Sequence, residues 1–281
     1  MRVGVMSGPE RGDAAHKAAR MAEDARWAED AGFDTVWVPQ VPTDFDALTA
    51  VCLMGQATSR IELGTAVVPV HAQHPVALAR QAMSAQAAAG GRLTLGVGAS
   101  HHWIVRDMLG LPYEKPAAYT RAYLEVLNAA LSGGSSVDVE NGTFQVHNPL
   151  TLAPVAPLPV LVAALGPVML RLAGELTDGT VLWMADERAV AEHVVPTITK
   201  AAEAAGRAAP RIVAGIPVCL CAPHEVDAAR SGPTASSERP RCRPTTSACW
   251  STATRATSAT CARRATRRPS RPASSGSPTP V

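Results

Sequence analysis

The chain has 281 residues, 47% of them hydrophobic, and a formal charge of +2, which suits one large buried core better than two ordinary domains. The small net charge hides a division, because from Ser231 onward nine arginines and one acidic residue, Glu238, give +8 and leave −6 for the body. A mildly acidic body with scattered charges fits a soluble cytoplasmic enzyme and excludes a folded nucleic-acid-binding face, which would be basic.

Met1-Arg2-Val3-Gly4-Val5-Met6 lacks the pattern of a secretion signal, and the most apolar stretch, Leu158 to Ala173, is broken by Gly166, Pro167 and Arg171, so no membrane span is expected. In chain order, the first strand is Arg2–Met6. Asp13 can cap a helix whose Ala18, Met21, Ala22 and Ala25 share a face, and Gly32 stops it. A second strand, Thr35–Val38, precedes a helix over Asp46–Thr58. A third, Ile61–Val68, precedes a helix with Pro75 in its first turn. The fourth strand, Arg92–Val97, is entered through Gly90-Gly91, and a helix from about Pro116 to Leu131 follows. Between them Gly98–Lys115 is too long for an ordinary strand-to-helix loop and is expected to fold over a site.

Val137 to Val146 alternates apolar and polar residues around Asn141-Gly142, a β-hairpin pattern. The fifth strand is Val160–Ala163, the sixth Thr180–Trp183 and the seventh Ile212–Leu220, with helices from Pro167 and from about Glu187 between them. Strands alternating with helices, and apolar on both faces as in Val160-Leu161-Val162-Ala163, indicate a parallel sheet covered on both sides. No eighth unit follows. From Ser231 the chain is almost entirely Ala, Arg, Ser, Thr and Pro, with three Cys, two Gly, one Trp, one Glu and one Val, which cannot build a core. The expected organisation is a domain over residues 1–230 and a disordered tail over 231–281. That tail reads either as a natural basic segment or as the product of a shifted reading frame in a GC-rich gene, and we favour the second.

Three stretches carry a resemblance. Ala28-Glu29-Asp30-Ala31-Gly32-Phe33-Asp34-Thr35-Val36-Trp37-Val38 is the first. Ile61-Glu62-Leu63-Gly64-Thr65-Ala66-Val67, with His74-Pro75 and Gly91-Arg92-Leu93-Thr94-Leu95-Gly96-Val97-Gly98, is the second. Ala163-Ala164-Leu165-Gly166-Pro167 with Leu172-Ala173-Gly174-Glu175-Leu176-Thr177-Asp178-Gly179 is the third. In this order over roughly residues 1–230, the sequence resembles the luciferase-like monooxygenase family, and particularly its deazaflavin-dependent oxidoreductase branch. The resemblance implies an α/β fold, the (β/α)₈ TIM barrel, here lacking its eighth β/α unit because of the aberrant tail. It also implies a deazaflavin, coenzyme F-420, or alternatively FMN, at the carboxyl mouth, where such barrels build their sites. Hydride transfer between that cofactor and a small organic substrate is then the expected reaction. A homodimer is the expected assembly, if any.

Four turns are candidates for the site. Ala164, Leu165 and Gly166 stand between a strand and a helix, where backbone amides can meet a phosphate; the same segment also reads as a tight turn that needs Gly for its backbone. Gly98 and Ala99 would admit a flat ring, and Ser100 and His101 could bond its polar edge or a substrate, unless His101 and His102 are simply exposed. Thr65, Ala66 and Val67 correspond to the family's strained bulge behind the ring, or are plain strand core. Gln40 stands where deazaflavin enzymes often present an acidic residue or His, and could donate to a substrate oxygen. Gln40 and His101 are the catalytic candidates, the others cofactor-binding.

Other readings carry less. The cysteines Cys52, Cys219, Cys221, Cys242, Cys249 and Cys261 have no C-x-x-C spacing, so metal binding through them is not expected. A metal-dependent hydrolase would have to use His71, His74, His101 and His102, but the first strand offers no His-x-His pair; His74 beside Pro75 reads as a helix cap. Arg263, Arg264, Arg267, Arg268 and Arg271 could bind nucleic acid electrostatically, without specificity, and such a partner is not expected.

Overall fold

The structure, a computed structural model, describes residues 1–8, 14–134, 136–148, 156–218, 221–226 and 249–250. The chain divides into two units, Met1–Val218 with Arg243–Thr252, and Cys219–Cys242 with Ala253–Val281. Of the second, the described part includes a short 3₁₀ turn at Pro223–Glu225. The first contains, in order, β1 (Gly4–Met6), α1 (Ala14–Asp30), β2 (Thr35–Val38), α2 (Ala47–Ala57), β3 (Glu62–Thr65), β4 (Val68–Pro69), α3 (Pro75–Ala88), β5 (Leu93–Gly98), α4 (Pro116–Leu131), β6 (Val137–Glu140), β7 (Gln145–Asn148), β8 (Val160–Ala163), α5 (Pro167–Leu176), β9 (Gly179–Trp183), α6 (Glu187–Ala189), α7 (Val195–Ala204), β10 (Arg211–Ile216) and β11 (Cys249–Trp250).

Parallel pairing runs from β1 to β2, β3, β5, β8, β9 and β10, with β4 continuing the β3 position along β5. The expected seven parallel strands are therefore present. The eighth place holds no parallel β/α unit among the described residues. The two-residue β11 lies there instead, antiparallel to both β1 and β10, and pairs the edges of Gly4, Val5, Gly215 and Ile216 that the missing unit would otherwise leave open. The ring closes through the β3–β5 pairing of Leu63 with Leu93 and Gly64 with Thr94.

Two apolar clusters hold this ring. The larger lies between sheet and helices and is built from side chains such as Val36, Val51, Leu63, Leu78, Leu95, Tyr123, Leu127 and Leu170. The smaller fills the cylinder with Trp37, Leu161, Val181 and Val213, packed by Met6, Ala66 and Val67. Below it, at the amino end, Glu62 accepts from Thr94 and pairs with Arg2 and Arg211, and the Arg211 guanidinium lies 5.5 Å over the Trp37 ring. Arg92 binds the end of α2 through Gly55 O and Thr58 O, and the start of the third strand through Ile61 O.

Several expectations shift. The buried face of α1 is Lys17, Met21, Ala25 and Ala28, with Ala18 and Ala22 at its margin, because Lys17 reaches an ion pair with Asp44 in the loop after β2. The predicted third strand is split between β3 and β4. The hairpin forms through β6 and β7, but its turn spans Asn141 to Phe144, with Asn141 Oδ1 accepting from Thr143 N and Phe144 N. Asp13, Cys219-Leu220 at the expected end of the seventh strand, and the tail apart from β11, including its arginine cluster, lie outside the described residues.

Candidate active site at the carboxyl mouth

Because seven strand positions run parallel, their carboxyl ends share one rim, and the turns at Gln40, Thr65, Ser100 and Gly166 all stand on it. This is the end at which such barrels assemble their sites.

The floor is formed where the third, fourth and fifth positions meet. Between β3 and β4 the Ala66–Val67 peptide is cis, and the strand bulges there. Thr65, fully buried, holds the bulge to β5: its Oγ1 donates to Gly96 O at 2.8 Å and accepts from Gly96 N at 2.9 Å. The Thr65 side chain is thus a structural link, and Ala66 and Val67 turn to the cylinder's interior cluster. Gly98 does not leave an empty slot for a ring, as its small size suggests in the sequence. A Cβ there would meet Val67 Cγ2 at 2.8 Å and Ala163 Cβ at 3.0 Å, so the glycine lets three strand ends close up into a flat floor of Val67, Gly98 and Ala163.

At the exit of β5, Ser100 has φ 64, and its carbonyl accepts from Tyr113 Oη at 2.8 Å. The ring of His71, at the exit of β4, is buried, lies stacked on Tyr119 at 4.4 Å and tilted against Tyr113 at 5.2 Å, and bonds the Ala99 backbone. Burial pushes the His71 imidazole below its ordinary value, against the opposing pull of that Ala99 bond. His71 and Tyr113 therefore grip consecutive residues of the turn. Sequence reasoning missed both; a His two residues past a strand end is the available cue, but its chemistry reads there as that of a metal ligand. His101 is exposed and stacks on Trp103 at 6.2 Å.

At the exit of β8, Ala164 is buried whereas Leu165 and Gly166 are exposed. Gly166 has φ −81, which any residue adopts, and a Cβ added there would meet nothing within 4 Å. Backbone geometry does not require this glycine, which removes the tight-turn reading; what its lack of a side chain provides is room in front of α5. That helix has no side-chain cap, and with Pro167 at its start it presents the amides of its first turn to the open side. His193 Nε2 lies 3.0 Å from Leu165 O and fixes the turn from behind. Gln40 is half-buried, and its Oε1 accepts from Ala47 N at 2.7 Å, so its carbonyl serves the start of α2.

The histidines proposed for a metal are spent separately, His74 Nδ1 accepting from Val76 N as the cap of α3, and among the described residues no group of three or more His, Cys, Asp and Glu is placed to hold an ion. No helix of the described residues is long and apolar enough to cross a membrane.

The described strands thus form a closed, mainly parallel barrel with a small-residue floor and an open helix terminus at its carboxyl mouth. The profile of the luciferase-like monooxygenase family matches residues 1–267, and the chain belongs to that family. A putative coenzyme F-420-dependent oxidoreductase of Mycobacterium tuberculosis is 33% identical over 171 residues, covering 56% of this chain and 49% of that protein. The chain spans about half the length of that relative, and 57% of the 5,10-methylenetetrahydromethanopterin reductase of Methanolobus tindarius, to which it is 29% identical over 188 residues, 67% of its own length. Among solved structures, the coenzyme F-420-dependent tetrahydromethanopterin reductase from Methanopyrus kandleri has a TM-score of 0.67 at 25% identity, over 78% of this chain and 66% of that one. A monooxygenase from Streptomyces bottropensis shares the fold, with a TM-score of 0.70 at 20% identity over 83% and 75%.

Proposed function

We propose that this chain is an oxidoreductase that holds a deazaflavin, coenzyme F-420, at the barrel mouth and exchanges hydride between it and a small organic substrate. The observation that carries the reading is the open N-terminus of α5 behind Gly166, beside the flat floor of Val67, Gly98 and Ala163. The relatives named for F-420 favour the deazaflavin over FMN.

The cofactor, when bound, supplies the ring carbon that gives or takes hydride. The protein's residues bind and orient. The first-turn amides of α5 and the helix dipole favour the cofactor's phosphate, with Ala164, Leu165 and Gly166 leaving its approach clear. Thr65, Ala66 and Val67 support the ring from below through the bulge, beside Gly98 and Ala99. Ser100, held in its turn by Tyr113, offers its hydroxyl to the ring's polar edge. His101 is the group we assign to carry the proton that accompanies hydride movement at an alcohol or carbonyl. The Gln40 carbonyl is engaged, so its amide nitrogen is the atom left to donate to a substrate oxygen.

Titrating the purified chain separately with F-420 and with FMN, and following quenching of cofactor fluorescence, tests this. We expect F-420 to bind at least about tenfold more tightly, roughly 1.4 kcal/mol. The reverse order would move the assignment to an FMN-dependent monooxygenase, and absence of binding by both would refute it.

A further inference from the structure

Of the eight histidines in the chain only His71 is buried, at 9% exposed. It stands two residues past β4, between rings from two other segments: Tyr119 of α4, stacked at 4.4 Å, and Tyr113 of the loop after β5, tilted at 5.2 Å. Its two nitrogens are used differently. One bonds the Ala99 backbone, and because that bond favours the protonated ring, the imidazole donates and Ala99 O accepts. The other, Nδ1, is buried with no hydrogen-bond partner among the described residues, so the donor is Nε2. One residue further, Tyr113 Oη donates to Ser100 O at 2.8 Å. Two consecutive carbonyls are thus held by two side chains that pack on each other. Ser100 takes φ 64, a conformation that a residue other than glycine keeps only where its neighbours hold it.

The neutral ring suits this place and the charged ring does not. A second N–H at Nδ1 would point a charged donor into a buried position without an acceptor. The titratable groups that face the ring are Tyr113 and Tyr119, whose phenols burial pushes up, so neither brings it a charge, and no charged side chain among the described residues acts on it. We infer that His71 is a positioning residue for the Ala99-Ser100-His101 turn. As a neutral donor to Ala99 O it holds the Ser100 hydroxyl and His101 at the mouth; on taking a proton it leaves the two tyrosines and frees the turn. The inference rests on the cofactor reading above for what the turn serves, and on the packing of the ring alone for how the turn is held. Burial pushes the imidazole below its ordinary value of 6.5. A base lowered in the folded state supports the fold fully above its unfolded value, about 6.5, and that support is lost as pH falls through the lower folded value.

The test compares the full wild-type chain with His71→Phe, which keeps a ring in the stack and loses the donor, and with His71→Gln, which keeps a neutral N–H and takes no proton. Two readouts are followed from about pH 7.5 to about pH 5, across the histidine range, with circular dichroism showing each chain folded. One is F-420 affinity by fluorescence quenching; the other, without cofactor, is hydrogen exchange of the backbone amides of residues 99–105. At about pH 7.5 His71→Phe should bind F-420 about fivefold more weakly than the wild type, the effect of one lost hydrogen bond, and its turn should exchange faster. Towards acid pH the wild type should fall to the level of His71→Phe in both readouts. The ratio between the two variants should stay constant, because titration of F-420 itself is common to all three chains. A constant ratio of wild type to His71→Phe, or equal exchange by the two at about pH 7.5, would overturn the inference and leave the cofactor assignment standing. An exchange difference that closes with acid in a chain that binds no F-420 would uphold the positioning role and refute the redox reading. If His71→Phe does not fold, His71→Gln carries the same prediction: it should outbind the wild type, and exchange more slowly, as pH falls, and parallel behaviour would overturn the inference.

Discussion

The two ends of the barrel are built by opposite rules. At the amino end the polar groups satisfy one another: Glu62 takes Thr94, Arg2 and Arg211, Arg211 covers the Trp37 ring, and Arg92 binds three carbonyls. At the carboxyl end α5 carries no side-chain cap, Ser100 and Met184 take positive φ, and apolar side chains remain exposed. Stability is concentrated where groups are paired, and binding capacity where they are left open. Strain and unmet backbone donors are tolerated at the mouth because the paired end fixes the strands that carry them.

Substitutions at each end should separate these properties. The largest effect is expected for Glu62→Ala, which strips Arg211 and Thr94 of a shared, mostly buried partner; unfolding in urea should show a loss of about 3 kcal/mol. Gly64→Ala places a Cβ 2.3 Å from the Trp37 ring, which is buried on every side and cannot retreat. Overpacking there should cost about 2 kcal/mol in the same experiment. Gly166→Val is the opposite case: its Cβ enters open space at an ordinary φ. Stability should stay within about 0.5 kcal/mol, while cofactor affinity falls at least about tenfold.

The smallest effect sharpens the amino-end side of the comparison. Burial alone would raise the Glu29 carboxyl, but backbone donors at Ile61, Arg60 and Ser59, with the Ser59 hydroxyl, hold it down at about 2. A carboxyl depressed in the folded state stabilises it above the unfolded value, about 4.3, and the contribution disappears as pH falls through 2. Glu29→Gln should therefore cost about 1 kcal/mol at neutral pH, and the difference from wild type in thermal melts should shrink steadily below about pH 4.

Much of the fold was legible because its rules are local. Thr35–Val38 and Val160–Ala163 read as strands from their own apolar runs, and Asp46, His74 and Pro167 mark helix starts through their own side chains, as the structure has them. What escaped depends on partners far along the chain. Lys17 joins the buried face of α1 only because Asp44 reaches it, and Gln40 gives its carbonyl to the start of α2, seven residues on. The bulge at Ala66–Val67 leaves no mark in a run that reads as continuous strand, and β11 forms in a tail with no apolar periodicity, by completing edges it did not itself specify. His71 and Tyr113, which grip the Ala99-Ser100 turn, are separated by a helix and a strand, so nothing in their spacing joins them.

The most direct measurement is the titration of F-420 into wild-type, Gly166→Val and Glu62→Ala chains, at a temperature where circular dichroism shows each to be folded. The account predicts that Gly166→Val loses at least about tenfold in affinity with its melting temperature unchanged, and that Glu62→Ala melts early yet binds as the wild type does. Undiminished binding by Gly166→Val, together with weakened binding by folded Glu62→Ala, would place the cofactor away from the carboxyl mouth and contradict it.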